Sequence, residues 1–167
     1  MNLDGQTTPL RTLPPQWNEV TGRVIGAAVQ VHSVLGPGLL ENLYEQAMCV
    51  ELRAIGLSFE RQKPIRMEYR GESIGDLRLD LAVENLVIVE LKAIAAIAEV
   101  HRAQLLSYLR STDLPLGLLF NFNSPRLTQT MCRAINPRCT LLTQLPFCSP
   151  MSSDLSDPSE FLLEDIE

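Results

Sequence analysis

The sequence has no apolar run approaching the roughly 18 residues that a membrane-spanning helix requires. Its opening stretch, MNLDGQTTPLRTLPPQ, has no basic segment followed by an apolar one. Neither membrane insertion nor secretion is expected. Four cysteines, Cys49, Cys132, Cys139 and Cys148, are irregularly spaced with no C-x-x-C between them. That spacing argues against a disulfide framework or a structural zinc and for reduced thiols in a cytoplasm. The two histidines, His32 and His101, are too far apart in sequence to make a metal site by themselves and read as structural or supporting residues. No internal repeat is visible. An excess of positive charge is also missing: residues 1–137 carry 13 Lys/Arg against 14 Asp/Glu, and the net charge of −6 belongs mainly to residues 138–167, with one Arg against six acids. Affinity for a polyanion should therefore be weak and salt-sensitive, or depend on a partner.

What is present fits one globular domain, with 167 residues, 46% apolar and 20% charged. Residues 1–16, with three prolines, read as loosely ordered, residues 17–137 as the folded domain, and residues 138–167 as an acidic, flexible tail. Val20, Val24, Ala27 or Ala28, Val31 and Leu35 recur at helical spacing, so a first helix is expected over 17–35, stopped by Gly36-Pro37-Gly38. A second is expected from Leu39 to Ile55, with Leu40, Leu43, Tyr44, Ala47 and Met48 inward. The period then changes to two. Ile65, Met67 and Tyr69 alternate with charged residues, which predicts a half-buried strand with Arg66 and Arg70 outward. Leu79–Val83 and Leu86–Lys92 predict a hairpin, giving a three-stranded meander. A third helix is expected over Glu99–Arg110 and a buried strand over Leu116–Phe122; residues 126–135 fit either a strand or a short helix.

The chemistry is signalled by polar residues inside apolar strands. Asp80 interrupts Leu79-x-Leu81-x-Val83, and Glu90 and Lys92 end the run from Val87. A charge buried there is costly unless paired or metal-bound. Glu90 and Lys92 share a face, being two apart on a strand. Asp80 joins them only in one hairpin register. A two-residue loop pairs Val83 with Leu86 and turns Asp80 away, whereas a three-residue loop, Glu84–Leu86, pairs Val83 with Val87 and sets Asp80 across from Glu90. The three-residue register is expected, with Asn85 or a neighbour left-handed. Two carboxylates and an ammonium would then converge in a hard-oxygen arrangement suited to Mg²⁺ or Mn²⁺. The alternative is a structural ion pair of Lys92 with Asp80 or Glu90. Arg61, Lys63, Arg66, Arg70 and Arg78 form either a phosphate-contacting stripe or a solvated strand face.

Gly38-Leu39-Leu40-Glu41-Asn42-Leu43-Tyr44 reads G-x-x-E-x-x-Y. With Asp80, Glu90-Leu91-Lys92, Gln104 through Tyr108, and Gly117 through Phe122, residues 17–137 resemble the GxxExxY protein family of the PD-(D/E)XK nuclease-like superfamily. The resemblance implies an α/β fold with a restriction-endonuclease-like core, a mixed central sheet flanked by helices. It implies a Mg²⁺- or Mn²⁺-dependent nuclease acting on nucleic acid, DNA before RNA. By the same resemblance Glu41, Asp80 and Glu90 bind metal, Lys92 is catalytic, and Gln104 and Tyr108 match a Q-x-x-x-Y element of RecB-like nucleases that lies beside the active site and the DNA. Leu79 replaces the proline of the superfamily's name. The cysteine order mimics that of relatives with an iron–sulfur cluster, but the six- and eight-residue gaps are too loose. Glu41 alternatively caps its helix, with Glu45 as decoy one turn on. A homodimer is an analogy of fold, and a non-cleaving module that binds nucleic acid or a protein partner in a repair or defence assembly is the rival reading.

Overall fold

A computed structural model of the chain describes residues 13–136, 138–143 and 163–165. Helix α1 (Pro15–Leu35) opens on a proline, tolerated there because the first N–H groups of a helix have no partner. Trp17, Thr21, Val24, Ala28 and Val31 return to one buried stripe, and Gly36, at φ 63°, ends the helix. Helix α2 (Glu41–Ala54) buries Tyr44, Glu45, Met48, Cys49 and Leu52. Tyr44, Met48 and the half-buried Ala47 are inward as expected, whereas Leu40 and Leu43 are not. Leu40 and Leu43 lie 72% and 43% exposed, while Glu45 turns inward.

Tyr44 sets that rotation. Its ring stacks on Phe122 with 4.5 Å between centroids, its hydroxyl donates to the Gly36 carbonyl at 2.6 Å, and the Leu39 N–H donates to it at 3.1 Å. The tyrosine of G-x-x-E-x-x-Y therefore ties the α1–α2 turn to the helix whose first residue is Glu41. Tyr44→Phe keeps the ring and loses both hydrogen bonds, and is expected to lower unfolding stability by about 1–2 kcal/mol in a urea titration.

The strands are β1 (Phe59–Tyr69), β2 (Glu72–Val83), β3 (Val87–Lys92), β4 (Leu116–Asn121), β5 (Cys132–Ile135) and β6 (Leu163–Asp165), hydrogen-bonded in that order. Helix α3 (Glu99–Thr112) connects β3 to β4, which run parallel, while every other neighbouring pair is antiparallel. This is the mixed sheet expected. Residues 126–135 resolve into both alternatives, a turn of 3₁₀ helix at Leu127–Gln129 and then β5. Helices α1 and α2 cover one face of the sheet through Val24, Ala28, Met48 and Leu52 against Leu81, Val89, Leu118 and Phe120. On the other face, α3 packs Leu105 and Leu109 against Ala82, Ile88 and Leu119. Strand β4 is buried along its whole length, as a parallel position covered on both faces requires.

The hairpin register is the expected one. Val83 pairs with Val87 and Leu81 with Val89, which sets Asp80 across from Glu90. Glu84 and Asn85 both take positive φ, 53° and 49°, and the Leu86 N–H donates to the Val83 carbonyl at 2.9 Å. Strand β2 is longer than Leu79–Val83 because its first half pairs only with β1 in an exposed ribbon. That ribbon turns over at its root. Leu81 and Val83 belong to the core under α1 and α2, yet Leu79, of the same parity, packs with Ile65 in the core under α3. The reversal falls at Asp80, opposite Gln62, and Gln62 has φ 51°. Neither residue joins the ladder, which passes from Arg61↔Leu81 to Lys63↔Leu79. Further out the ribbon slips again between Met67 and Glu68.

The order of segments 1–16 and 138–167 falls largely outside the described residues. Within them, Pro15 and Gln16 already belong to α1, α4 (Thr140–Thr143) is one turn, and β6 pairs with β5. Cys49 and Cys139 are buried in one core and Cys132 in the other, so the sheet lies between them; Cys148 is outside the described residues. No helix among the described residues is long and apolar enough to cross a membrane.

Candidate active site

The end of the β2–β3 hairpin brings three of the expected residues together. Because β3 alternates, Val87, Val89 and Leu91 fill one core, while Glu90 and Lys92 point to the face that carries α3. Glu90 is 2% exposed. The Lys92 ammonium stands 3.6 Å from Glu90 Oε2, and the Asp80 N–H donates to Glu90 Oε1 at 3.4 Å. Asp80 Oδ2 accepts the Leu91 N–H at 2.8 Å, so a side chain takes over where the β2–β3 ladder stops.

Charge is poorly compensated here. Burial pushes Glu90 up to about 8, assisted by the neighbouring Asp80 charge and opposed by Lys92. Asp80 is raised as well, mainly by burial, against the Leu91 N–H and Lys92. Glu41 is raised by its own burial and by Asp80, while Lys92 and the Ala93 backbone hold it down. The first turn of α2 therefore places Glu41 within charge–charge range of Asp80 and Lys92. Among the described residues no three His, Cys, Asp or Glu side chains close into a ready metal cage. Asp80 and Glu90 form a pair and Glu41 stands beside it. As a donor set, hard oxygens with one ammonium beside them suit a small divalent cation, which would offset the cost of ionising acids that burial raises.

Two further motifs support this centre. Asn121, at the end of β4, accepts the Ile94 N–H at 3.1 Å and donates to the Ile94 carbonyl at 2.9 Å, while the Phe122 N–H donates to the Lys92 carbonyl at 2.8 Å. Those bonds fix the backbone that leaves Lys92. Gln104, on α3, donates to the Tyr108 hydroxyl at 2.8 Å, and Tyr108 is 5% exposed. Burial and the Glu90 charge raise Tyr108 above the usual phenol range, so the pair floors the acids. Arg66 and Arg70 are not brought into the cluster. Both are exposed on the ribbon, Arg66 opposite Asp76 and Arg70 at φ 52° with its guanidinium 5.5 Å from the Tyr69 ring centre. Both histidines contact backbone groups. His32 Nε2 contacts the Ser124 carbonyl at 2.8 Å and His101 Nδ1 accepts the Ala98 N–H at 2.9 Å.

Sequence reasoning missed two participants. Glu45, treated as a decoy, is 6% exposed and accepts Arg61 Nε at 2.6 Å and Gln62 Nε2 at 3.0 Å. The Gln62 amide also stands 3.4 Å from Asp80 Oδ1. No signal for Gln62 exists in the alternation pattern, because its inward position depends on a left-handed backbone that only the fold reveals.

No curated protein and no solved structure gives a match to the chain. A family model does: that of the PD-(D/E)XK nuclease superfamily matches residues 18–134. The matched stretch runs from the first turn of α1 to β5 and so takes in every element that carries Glu41, Asp80, Glu90 and Lys92. With two-thirds of its length matched and the acid–acid–lysine geometry in place, the chain belongs to the PD-(D/E)XK nuclease superfamily.

Proposed function

We propose that the protein hydrolyses phosphodiester bonds in nucleic acid, DNA before RNA. The observation that carries this reading is the convergence of Asp80, Glu90 and Lys92 at the hairpin end, with Lys92 Nζ 3.6 Å from Glu90. Nucleases of this superfamily generally use divalent metals, typically Mg²⁺. Here Asp80, Glu90 and Glu41 would hold Mg²⁺ or Mn²⁺, which polarises a phosphoryl oxygen and acidifies water. Lys92 orients the attacking water and offsets the charge that accumulates on phosphorus in the transition state. Gln104, half-exposed above Tyr108, contacts the substrate beside the acids, and Arg66 and Arg70 contact its phosphates along the ribbon. On this reading the chain is a cytoplasmic GxxExxY protein with RecB-like features, supported by its five sequence motifs, and a homodimer is an analogy of fold.

A second reading has one observation in its favour. Lys92 stands 3.6 Å from Glu90, as a structural ion pair would in a non-cleaving module that binds nucleic acid or a protein partner in a repair or defence assembly. Incubation with labelled single- and double-stranded DNA and RNA, with Mg²⁺ or Mn²⁺, separates the two. Wild-type cleavage that folded Asp80→Ala lacks is the expected result. A wild type inert on every substrate supports the second reading.

A further inference from the structure

A left-handed residue inside a strand is costly for any side chain other than glycine and persists where the surroundings hold it. Gln62 is such a residue, with φ 51° in the middle of β1. Its position coincides with three other features: the point where the ribbon changes face, the gap in the β1–β2 ladder, and the place directly opposite Asp80. In a regular strand the Gln62 side chain would follow the alternation of its neighbours. Turned by the kink, its amide instead lies between two carboxylates, 3.0 Å from Glu45 Oε2 and 3.4 Å from Asp80 Oδ1. Glu45 is in turn anchored by Arg61 at 2.6 Å.

The consequence for Asp80 is that both its oxygens have a donor. Leu91 N–H holds Oδ2 from β3, and the Gln62 amide approaches Oδ1 from β1. Two donors on separate strands fix the plane of the carboxylate, where one would leave it free to rotate. The same amide nitrogen donates to Glu45 Oε2, so it bridges the two carboxylates. A glutamine does both because it brings two N–H donors and no charge.

We propose that Gln62 is a positioning residue that, through its strained backbone and the Arg61–Glu45 pair behind it, orients the Asp80 carboxylate of the active site. The proposal rests on the reading of Asp80 as a metal-binding acid, and its test is separable from that reading. The Leu91 amide has Asp80 Oδ2 as its partner, so its hydrogen exchange reports where the carboxylate is, with or without metal or cleavage. In Gln62→Gly the backbone strain is relieved and only the side chain is lost. The expected result is a melting temperature no lower than wild type, with Leu91 exchange accelerated roughly tenfold and Mn²⁺ affinity, by calorimetry, reduced roughly tenfold to a hundredfold. Gln62→Asn, which tolerates the left-handed backbone but is a methylene too short to span both carboxylates, should show the same acceleration and serves if the glycine variant does not fold. Asp80→Ala gives the fully unprotected Leu91 amide for reference. Leu91 protection unchanged in a folded variant overturns the proposal. If wild type binds no Mn²⁺, the metal reading fails while Leu91 exchange still decides the role of Gln62.

Discussion

Replacing Lys92 by alanine is expected to reduce phosphodiester cleavage by roughly 10²–10³-fold at saturating Mg²⁺, measured in single turnover. The side chain is 14% exposed and its ammonium stands 3.6 Å from Glu90, so its charge acts where solvent screens it little. It is also a cation of this chain that both Asp80 and Glu90 feel. Removing a preorganised charge from a transition state of this kind costs a few kcal/mol, hence the magnitude. Lys92→Arg should rescue poorly, because a planar guanidinium cannot take the place of a compact ammonium beside two carboxylates. A folded Lys92→Ala protein with wild-type turnover would assign the pair a purely structural role.

The second large effect concerns stability. Glu90 titrates at about 8 in the folded chain against an ordinary value of 4.5, so the folded state holds this proton more tightly than the unfolded one. The sign follows: the contribution is complete below about pH 4.5 and is lost as pH rises through 8. A displacement of that size corresponds to roughly 4–5 kcal/mol. Asp80 and Glu41, raised in the same sense, add to it. Glu90→Gln removes the titration and should make the metal-free protein about 2–4 kcal/mol more stable at pH 8, less than the full amount because Lys92 loses its partner. Urea titrations at pH 5, 6.5 and 8 in EDTA check this as a wild-type stability that falls with pH and a variant curve that falls less steeply, by what Asp80 and Glu41 still contribute. Added Mg²⁺ should restore the wild type at pH 8 and leave the variant unmoved. A variant no more stable than wild type at pH 8 would contradict the account.

The site was legible in the sequence where chemistry conflicts with burial. Asp80 and Glu90 announce themselves as charges in apolar strands, and the need to bring them together selects the Val83↔Val87 register that the hairpin adopts. Residue period gave α1 almost to its ends. On α2 it found Tyr44 and Met48 but misplaced Leu40 and Leu43, because the stripe through those two is more apolar than the one that is buried. The buried stripe includes Glu45, whose cost is offset by Arg61 and Gln62 from a strand distant in sequence. It failed also for residues 72–78 of β2, which are mostly exposed on the ribbon and show no alternation. The left-handed Gln62 left no trace because most residues that adopt such a backbone at turns are glycine or asparagine.

The distortions of β1 have a further consequence, for colloidal behaviour. Among the described residues β1 is an edge of the sheet, and an exposed edge of eleven residues is a template on which another chain can deposit. Here a foreign strand would meet the left-handed Gln62, then Pro64, which offers no N–H, then the slip between Met67 and Glu68. No regular stretch is left long enough for cross-strand growth. The kink that turns Gln62 toward Asp80 thereby also caps the sheet against fibril formation, and two copies of this protein would have to associate through surfaces other than that edge.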